Sequence, residues 1–319
     1  MLPKVYVTRH LPAAAWQELS AACSVEIWDR DSPPSYETLL EAVRDREGLL
    51  CLLTDRIDAS LMDAAPRLRV ISQCAVGYDN VDVAAASARG IRVGNTPGVL
   101  TDATADFAFT LMLSAARRVV EAADFVRQGR WETWGLTLLL GQSAWGATLG
   151  IIGFGRIGQA LARRARGFEM KILYYDLERN PQAETELGAT WYPLDELLSQ
   201  SDFVSIHTNL TPETRSLIGE AALRKMKPNA VLVNTARGPV VDSQALYQAL
   251  KEGWIAAAAL DVTDPEPLPA QNPLLSLPNL IVVPHIASAT VASRGQMALM
   301  AVRNLVAGVH GEPLPFPVN

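Results

Sequence analysis

The chain has 319 residues, room for two hydrophobic cores, and its 49% hydrophobic and 19% charged content excludes a disordered or low-complexity polymer. A formal net charge of −6, from 28 basic and 34 acidic residues with no basic block, argues against nucleic acid as a partner. No stretch approaches the ~18 apolar residues that span a bilayer, and "MLPKVYVTRH" lacks the apolar core of a secretion signal, so a soluble cytoplasmic protein without a membrane partner is expected.

In chain order, short apolar runs alternate with helix-like segments. "KVYVT" (4–8), "SVEIW" (24–28), "GLLCLLT" (48–54), "LRVISQCAV" (68–76) and "IRVGNT" (91–96) read as strands, separated by segments such as "PAAAWQELSAA" and "DASLMDAA". Alternation of this kind predicts parallel strands joined by crossover helices. Next comes "TDATADFAFTLMLSAARRVVEAADFVRQG", one continuous helical pattern with Thr101 or Asp102 able to cap its start and Gly129 its end. A second series follows, "TLGIIG" (148–153), "MKILYYD" (170–176), "DFVSIHT" (202–208), "AVLVNT" (230–235), "IAAAALDV" (255–262) and "LIVVPH" (280–285). These runs lack polar alternation, as expected when helices cover both faces of a sheet. Two α/β units are predicted: residues 1–98 with 287–319, made discontinuous by the returning C-terminal helix, and residues 99–286. Cys23, Cys51 and Cys74 are odd in number and lack metal-ligand spacing, so reduced thiols and no metal site are expected.

The sharpest local motif is "TLGIIGFGRIGQALARRARGF", in which Gly153, Gly155 and Gly158 form G-x-G-x-x-G between an apolar strand and an amphipathic helix. The first glycine permits the tight turn, the second lets a pyrophosphate approach the backbone, and the third lets helix and strand pack closely. The N–H groups at the helix start favour phosphate charge. Eighteen residues after Gly158 stands Asp176, where a carboxylate can accept from adenosine ribose hydroxyls and repel a 2′-phosphate. NAD is therefore favoured over NADP, although Arg179 nearby could serve a phosphate.

Ligands of open α/β sheets bind beyond the carboxyl ends of the strands. Arg237, Glu266 and His285 follow three such ends in the second series. Separately they have ordinary explanations: a surface arginine, a solvated acid, a structural histidine. Together they mark one edge of the sheet, near the place expected for a nicotinamide.

From about residue 48 onward the sequence resembles the D-isomer-specific 2-hydroxyacid dehydrogenases, in their glyoxylate/hydroxypyruvate reductase branch. The resemblance rests on "VGYDNVD", "NTPGVLTDATADFAFTLML", "GIIGFGRIGQALARRARGF", "LTPETRSLI", "LVNTARGPVVD", "LDVTDPEP" and "PHIASAT", in that order. It implies two doubly wound parallel-sheet α/β domains, Rossmann-like and flavodoxin-like, with a cleft between them. It further implies NAD(P)H-dependent reduction of a small 2-oxo acid, with Arg237 on the substrate carboxylate and carbonyl, His285 as acid/base and Glu266 as its partner. Asp264 is the rival partner.

By the same resemblance Leu53, Val76 and Gly77 face the substrate, the last two through backbone N–H groups. Thr104, Arg156, Ile157, Thr208, Pro212, Thr235, Ala236 and Asp261 are implied along the cofactor, with helix capping the other reading of Thr104. The segment near 100–147, with Trp131, Trp134 and Trp145, matches a dimer arm and implies a homodimer. Two departures stand out: Asn209 where many relatives have Pro, and Ala287 where they have Gly. A dehydrogenase of a bulkier 2-hydroxy acid and a non-enzymatic NAD-sensing protein of the same fold are the alternatives.

Overall fold

The computed structural model describes all residues, Met1–Asn319, and divides them into two compact units, Met1–Leu100 with Ala289–Asn319 and Thr101–Ser288. The first begins β1 (Lys4–Val7), α1 (Ala13–Ala22), β2 (Ser24–Ile27), α2 (Tyr36–Ala42), β3 (Gly48–Cys51), α3 (Ala59–Asp63), β4 (Val70–Gln73), α4 (Val83–Ala88) and β5 (Arg92–Gly94). All pairings are parallel, in the order β2-β1-β3-β4-β5. Three of the helix starts are capped by side chains, Ser35 to Thr38 N–H, Asp58 to Leu61 N–H and Asp82 to Ala85 N–H. Each cap satisfies a donor that the first helical turn leaves open, worth about 1 kcal/mol.

The second unit runs through α5 (Thr101–Ala116), α6 (Val119–Arg127), β6 (Thr148–Ile152), α7 (Arg156–Arg166), β7 (Lys171–Tyr175), α8 (Pro181–Leu187), β8 (Ala189–Trp191), α9 (Leu194–Gln200), β9 (Phe203–Ile206), α10 (Glu220–Leu223), β10 (Val231–Asn234), α11 (Ser243–Glu252), β11 (Ala257–Leu260) and β12 (Leu280–Val282). Its seven parallel strands lie in the order β12-β11-β10-β9-β6-β7-β8. The order reverses between β6 and β9, the two strands that follow each other across the sheet centre, and their carboxyl ends carry the glycine turn and Thr208. Apolar side chains cover both faces: Leu149, Ile151 and Phe203 pack on one, Ile152, Leu173, Val204 and Ile206 on the other. The fully apolar strands follow from this two-sided burial.

The last helix, α12 (Val291–His310), packs on α1, β3, β4 and β5 of the first unit. It buries Met297, Met300, Val302, Leu305 and Val309 among others, each worth about 2 kcal/mol of gross hydrophobic stabilisation. Thr290 caps its start and Gly311, left-handed at φ 83°, ends it.

Two details differ from the expectations. The helical pattern after residue 100 is broken into α5 and α6 by Arg118 at φ 53°. The break is tertiary in origin: the carbonyl of Ala116 accepts from Gln142 N–H at 2.8 Å, and Gly141 packs so closely on it that a Cβ would lie 2.3 Å from that oxygen. The second unit also has an edge strand beyond those expected, β8, only three residues long and paired on one side.

Candidate active site

The glycine turn joins β6 to α7. Gly153 has φ 90°, and a Cβ there would meet the Thr208 backbone nitrogen at 2.6 Å; at Gly158 it would meet the Gly153 carbonyl at 2.3 Å. These two glycines are required by backbone conformation and close approach. Gly155 differs, since an added Cβ meets no protein atom within 4 Å. That open space, beside the N–H groups of the first turn of α7, suits a pyrophosphate that must reach the backbone. Arg156 is exposed at this turn, and Ile157 is half-buried against the core.

Asp176, just past β7, accepts from Phe154 N–H at 2.7 Å on one carboxylate oxygen and from Leu177 N–H at 2.8 Å on the other. It braces the glycine turn while leaving lone pairs for further donors. Phe154 is held again by its ring, stacked at 4.1 Å on Tyr174. Arg179 is committed to Glu184, with bonds of 3.1 and 2.8 Å. Its guanidinium draws Glu184 below the usual carboxylate range. Phe154, Asp176, Glu178 and Arg179 border a cavity of about 310 Å³. These residues fit a dinucleotide, and the acidic pair with a neutralised Arg179 suits ribose hydroxyls better than a phosphate.

At the far strands, Arg237 follows β10, Glu266 follows β11 and His285 follows β12. Asn234, fully buried, shapes the first turn: its Oδ1 accepts from Ala236 N–H at 3.0 Å and its Nδ2 donates to the Arg237 carbonyl at 2.8 Å. Gly238 then lies so close to the next loop that a Cβ would sit 1.9 Å from the Thr263 carbonyl. The Arg237 turn is thereby pressed onto the segment that carries Glu266.

His285 Nδ1 and Glu266 Oε1 are 2.6 Å apart, and Glu266 Oε2 accepts from Thr263 N–H at 3.3 Å. Burial opposes ionisation of Glu266, but the bond to His285, that ring's charge, the Thr263 N–H and the Arg237 charge outweigh it and hold the carboxyl below its ordinary 4.5. Asp264 is exposed and has no contact with the ring among its bonds; its carbonyl accepts from Ser243. His285 has φ 53°, an unusual conformation for a residue with a Cβ. Asp261, 1% exposed, fixes that conformation by accepting from Ile286 N–H at 2.6 Å and Ala287 N–H at 2.9 Å, while its carbonyl accepts from His285 N–H at 2.9 Å. Ala287 is buried in this clamp.

Thr104 is buried in the first turn of α5, past the start of the helix. Thr235 is 9% exposed, with Oγ1 3.5 Å from His207 Nδ1, and His207 Nε2 lies 2.8 Å from Ser205 Oγ. Loss of hydration pushes His207 down to about 3, so its ring is neutral at ordinary pH. Ala236 is half-buried beside Arg237, Thr208 is half-buried, and Pro212 is exposed in a loop where Thr214 Oγ1 donates to the Asn209 carbonyl at 2.7 Å.

In the first unit, Leu53 sits in the loop after β3, and Val76 and Gly77 in the loop after β4. Asn80 ties these loops together, donating from Nδ2 to the carbonyls of Leu52 at 3.0 Å and Asp55 at 2.8 Å. Gln73, fully buried, donates to Asn80 Oδ1 at 2.8 Å and to the Gly77 carbonyl at 3.3 Å. Burial pushes the neighbouring Cys74 thiol up to about 12, which leaves it protonated and unreactive at neutral pH. Asn234, Gly238 and the double anchoring by Asp261 are contributions that motif reading missed. The only sequence signal for the first two was the pairing of a polar strand end with a Gly-Pro turn.

The model of the D-isomer specific 2-hydroxyacid dehydrogenase NAD binding domain matches residues 109–287. The chain belongs to this family. It is an NAD(P)-dependent oxidoreductase, which sets aside the non-enzymatic sensor. It is 53% identical to a glyoxylate reductase of Korarchaeum cryptofilum over all of this chain and 96% of that protein. A protein from Thermus thermophilus shares 47% identity and superposes with a TM-score of 0.94, covering 99% of this chain and 100% of that one. An NADPH-dependent glyoxylate/hydroxypyruvate reductase of Sinorhizobium meliloti, solved with NADP and malonate, is 34% identical with a TM-score of 0.87, over 100% of this chain and 97% of its own.

Proposed function

We propose that this protein reduces glyoxylate or hydroxypyruvate to the 2-hydroxy acid, the D-isomer where the product is chiral, with NADH preferred over NADPH. The observation that carries the reading is the 2.6 Å pair of His285 and Glu266 on the sheet edge that also presents Arg237, whose charge reaches Glu266. A nicotinamide held by this unit would supply hydride to the keto carbon.

The chain's residues do the rest. Arg237 pairs its planar guanidinium with the substrate carboxylate and the adjoining carbonyl, fixing the molecule and polarising the bond that is reduced. As negative charge develops on the carbonyl oxygen, His285 gives it a proton from Nε2. With Nδ1 committed to Glu266, Nε2 is the nitrogen that carries the transferable proton, and the carboxylate fixes the orientation of the ring. Asp261 holds the ring's backbone in place and borders the nicotinamide position, with Thr104, Thr235 and Ala236. Gly153, Gly155, Arg156, Ile157 and Gly158 receive the pyrophosphate, Asp176 the adenosine ribose, and Thr208 and Pro212 the adenosine side. In the first unit the N–H groups of Val76 and Gly77 bind the carboxylate, and Leu53 packs against the small substrate.

A homodimer and a cytoplasmic setting complete the reading. Trp131, Trp134, Leu136 and Trp145 are 59%, 75%, 81% and 59% exposed, an apolar concentration that a second copy would cover. Three free cysteines suit a reducing compartment, and no helix is long and apolar enough to cross a membrane. The test is a panel of 2-oxo acids, glyoxylate, hydroxypyruvate, pyruvate and phenylpyruvate, each followed by NADH and NADPH absorbance. The highest kcat/KM is expected for one of the first two with NADH. A clear preference for phenylpyruvate would replace the substrate reading.

A further inference from the structure

The loop after β4 has two backbone donors whose direction is set from behind. In a trans peptide the C=O and the following N–H point to opposite sides of one plane, so a bond that fixes the carbonyl also aims the N–H. The Ala75 carbonyl accepts from Thr96 N–H at 2.9 Å, which turns the Val76 N–H away from Thr96. The Val76 carbonyl accepts from Asn95 Nδ2 at 2.8 Å, which turns the Gly77 N–H away from Asn95. Neither N–H donates to an acceptor within the protein, and both residues are only half-buried.

Asn95 is built to hold this position. It is 9% exposed, and its own backbone is clamped: the carbonyl accepts from Asn304 Nδ2 at 2.9 Å, and the N–H donates to the Phe316 carbonyl at 3.2 Å. Asn304, fully buried on α12, also accepts from Phe316 N–H at 2.9 Å. On the other side of the loop the Gly77 carbonyl takes the Gln73 bond, fixing the next peptide plane. The orientation of the Val76–Gly77 peptide depends on the Asn95 side chain. If it turned over, it would present an oxygen acceptor where a carboxylate needs a donor.

We infer that Asn95 is a positioning residue for substrate binding: its carboxamide, by holding the Val76 carbonyl, points the Gly77 N–H at the substrate carboxylate. The inference rests on the reading of this loop as the carboxylate site. It is specific to the charged end of the substrate and independent of the cofactor.

Steady-state kinetics of Asn95→Ala with glyoxylate and with its amide, glyoxylamide, test it. A hydrogen bond to a charged group is commonly worth about a tenfold change in affinity or more. KM for glyoxylate should rise about tenfold, with kcat, KM for NADH and KM for glyoxylamide within about twofold of wild type, so the preference for acid over amide shrinks. Should Asn95→Ala not fold, Asn95→Ser, which keeps a shorter donor in the same space, should show the same trend more weakly. A folded variant of either kind that keeps the wild-type KM and acid preference, even with a lowered Tm, overturns the inference and leaves Asn95 a structural residue. If the wild-type enzyme itself does not prefer the acid, the carboxylate reading falls first.

Discussion

In the second unit the groups proposed for chemistry are side chains at strand ends, Arg237, Glu266 and His285, whereas in the first unit they are backbone N–H groups of Val76 and Gly77 in a loop. Both arrangements depend on buried polar residues behind them, but in opposite ways. Asn234 and Asp261 hold the backbone so that a side chain can point outward. Asn95 and Gln73 hold carbonyls so that the backbone itself points outward. Side-chain chemistry should therefore fail abruptly when its residue is removed, while backbone chemistry should weaken by degrees when its support is removed.

The sharpest way to break that contrast is Arg237→Ala, which should lower kcat/KM for glyoxylate by about 10³-fold, through both parameters, because the charge and the fork that orient the substrate vanish together. Arg237→Lys should recover only a small part, as a point charge cannot reproduce two parallel donors. A loss below tenfold in steady-state assays of Arg237→Ala would place the carboxylate chiefly on the first unit. A smaller effect, about 10- to 100-fold, is expected on cofactor choice in Asp176→Ala, measured as the ratio of kcat/KM for NADH and NADPH. NADH should lose most of its advantage, and some activity with both should go, because Asp176 also braces Phe154 N–H.

The smallest effect concerns His207, a half-buried ring outside the proposed proton path. Its pKa falls from 6.5 to about 3 on folding, so above 6.5 neither state binds a proton there and the residue has no pH-dependent effect. As pH falls below 6.5 the unfolded chain takes up a proton that the folded chain refuses, and stability declines until about 3. His207→Gln should flatten that part of the dependence of Tm on pH. An unchanged slope would show that other groups control acid stability.

The same contrast explains what could be read from the amino acids. Short apolar runs marked eleven strands, most of them buried on both faces so that no alternation confuses them, while Ala189–Trp191, three residues at an edge, leaves too little pattern. The helical pattern of residues 101–127 gave no sign of its break at Arg118, since the cause is a contact from Gln142 onto Ala116. Glycine spacing marked the turn after β6, and titratable side chains after strand ends marked Arg237, Glu266 and His285. Asn95, Asn234 and Gly238 carry no such mark: their work is done through a neighbour's carbonyl or through a close approach of two loops, and both exist only in the folded chain.

The proton donor is the centre of the proposed chemistry, and turnover of purified His285→Ala with NADH and glyoxylate tests it most directly. A fall in kcat of about 10²- to 10⁴-fold, with NADH affinity close to wild type, is the expected result. A kcat near that of the wild type in folded, NADH-binding protein would contradict it, and the proton would have to come from another group.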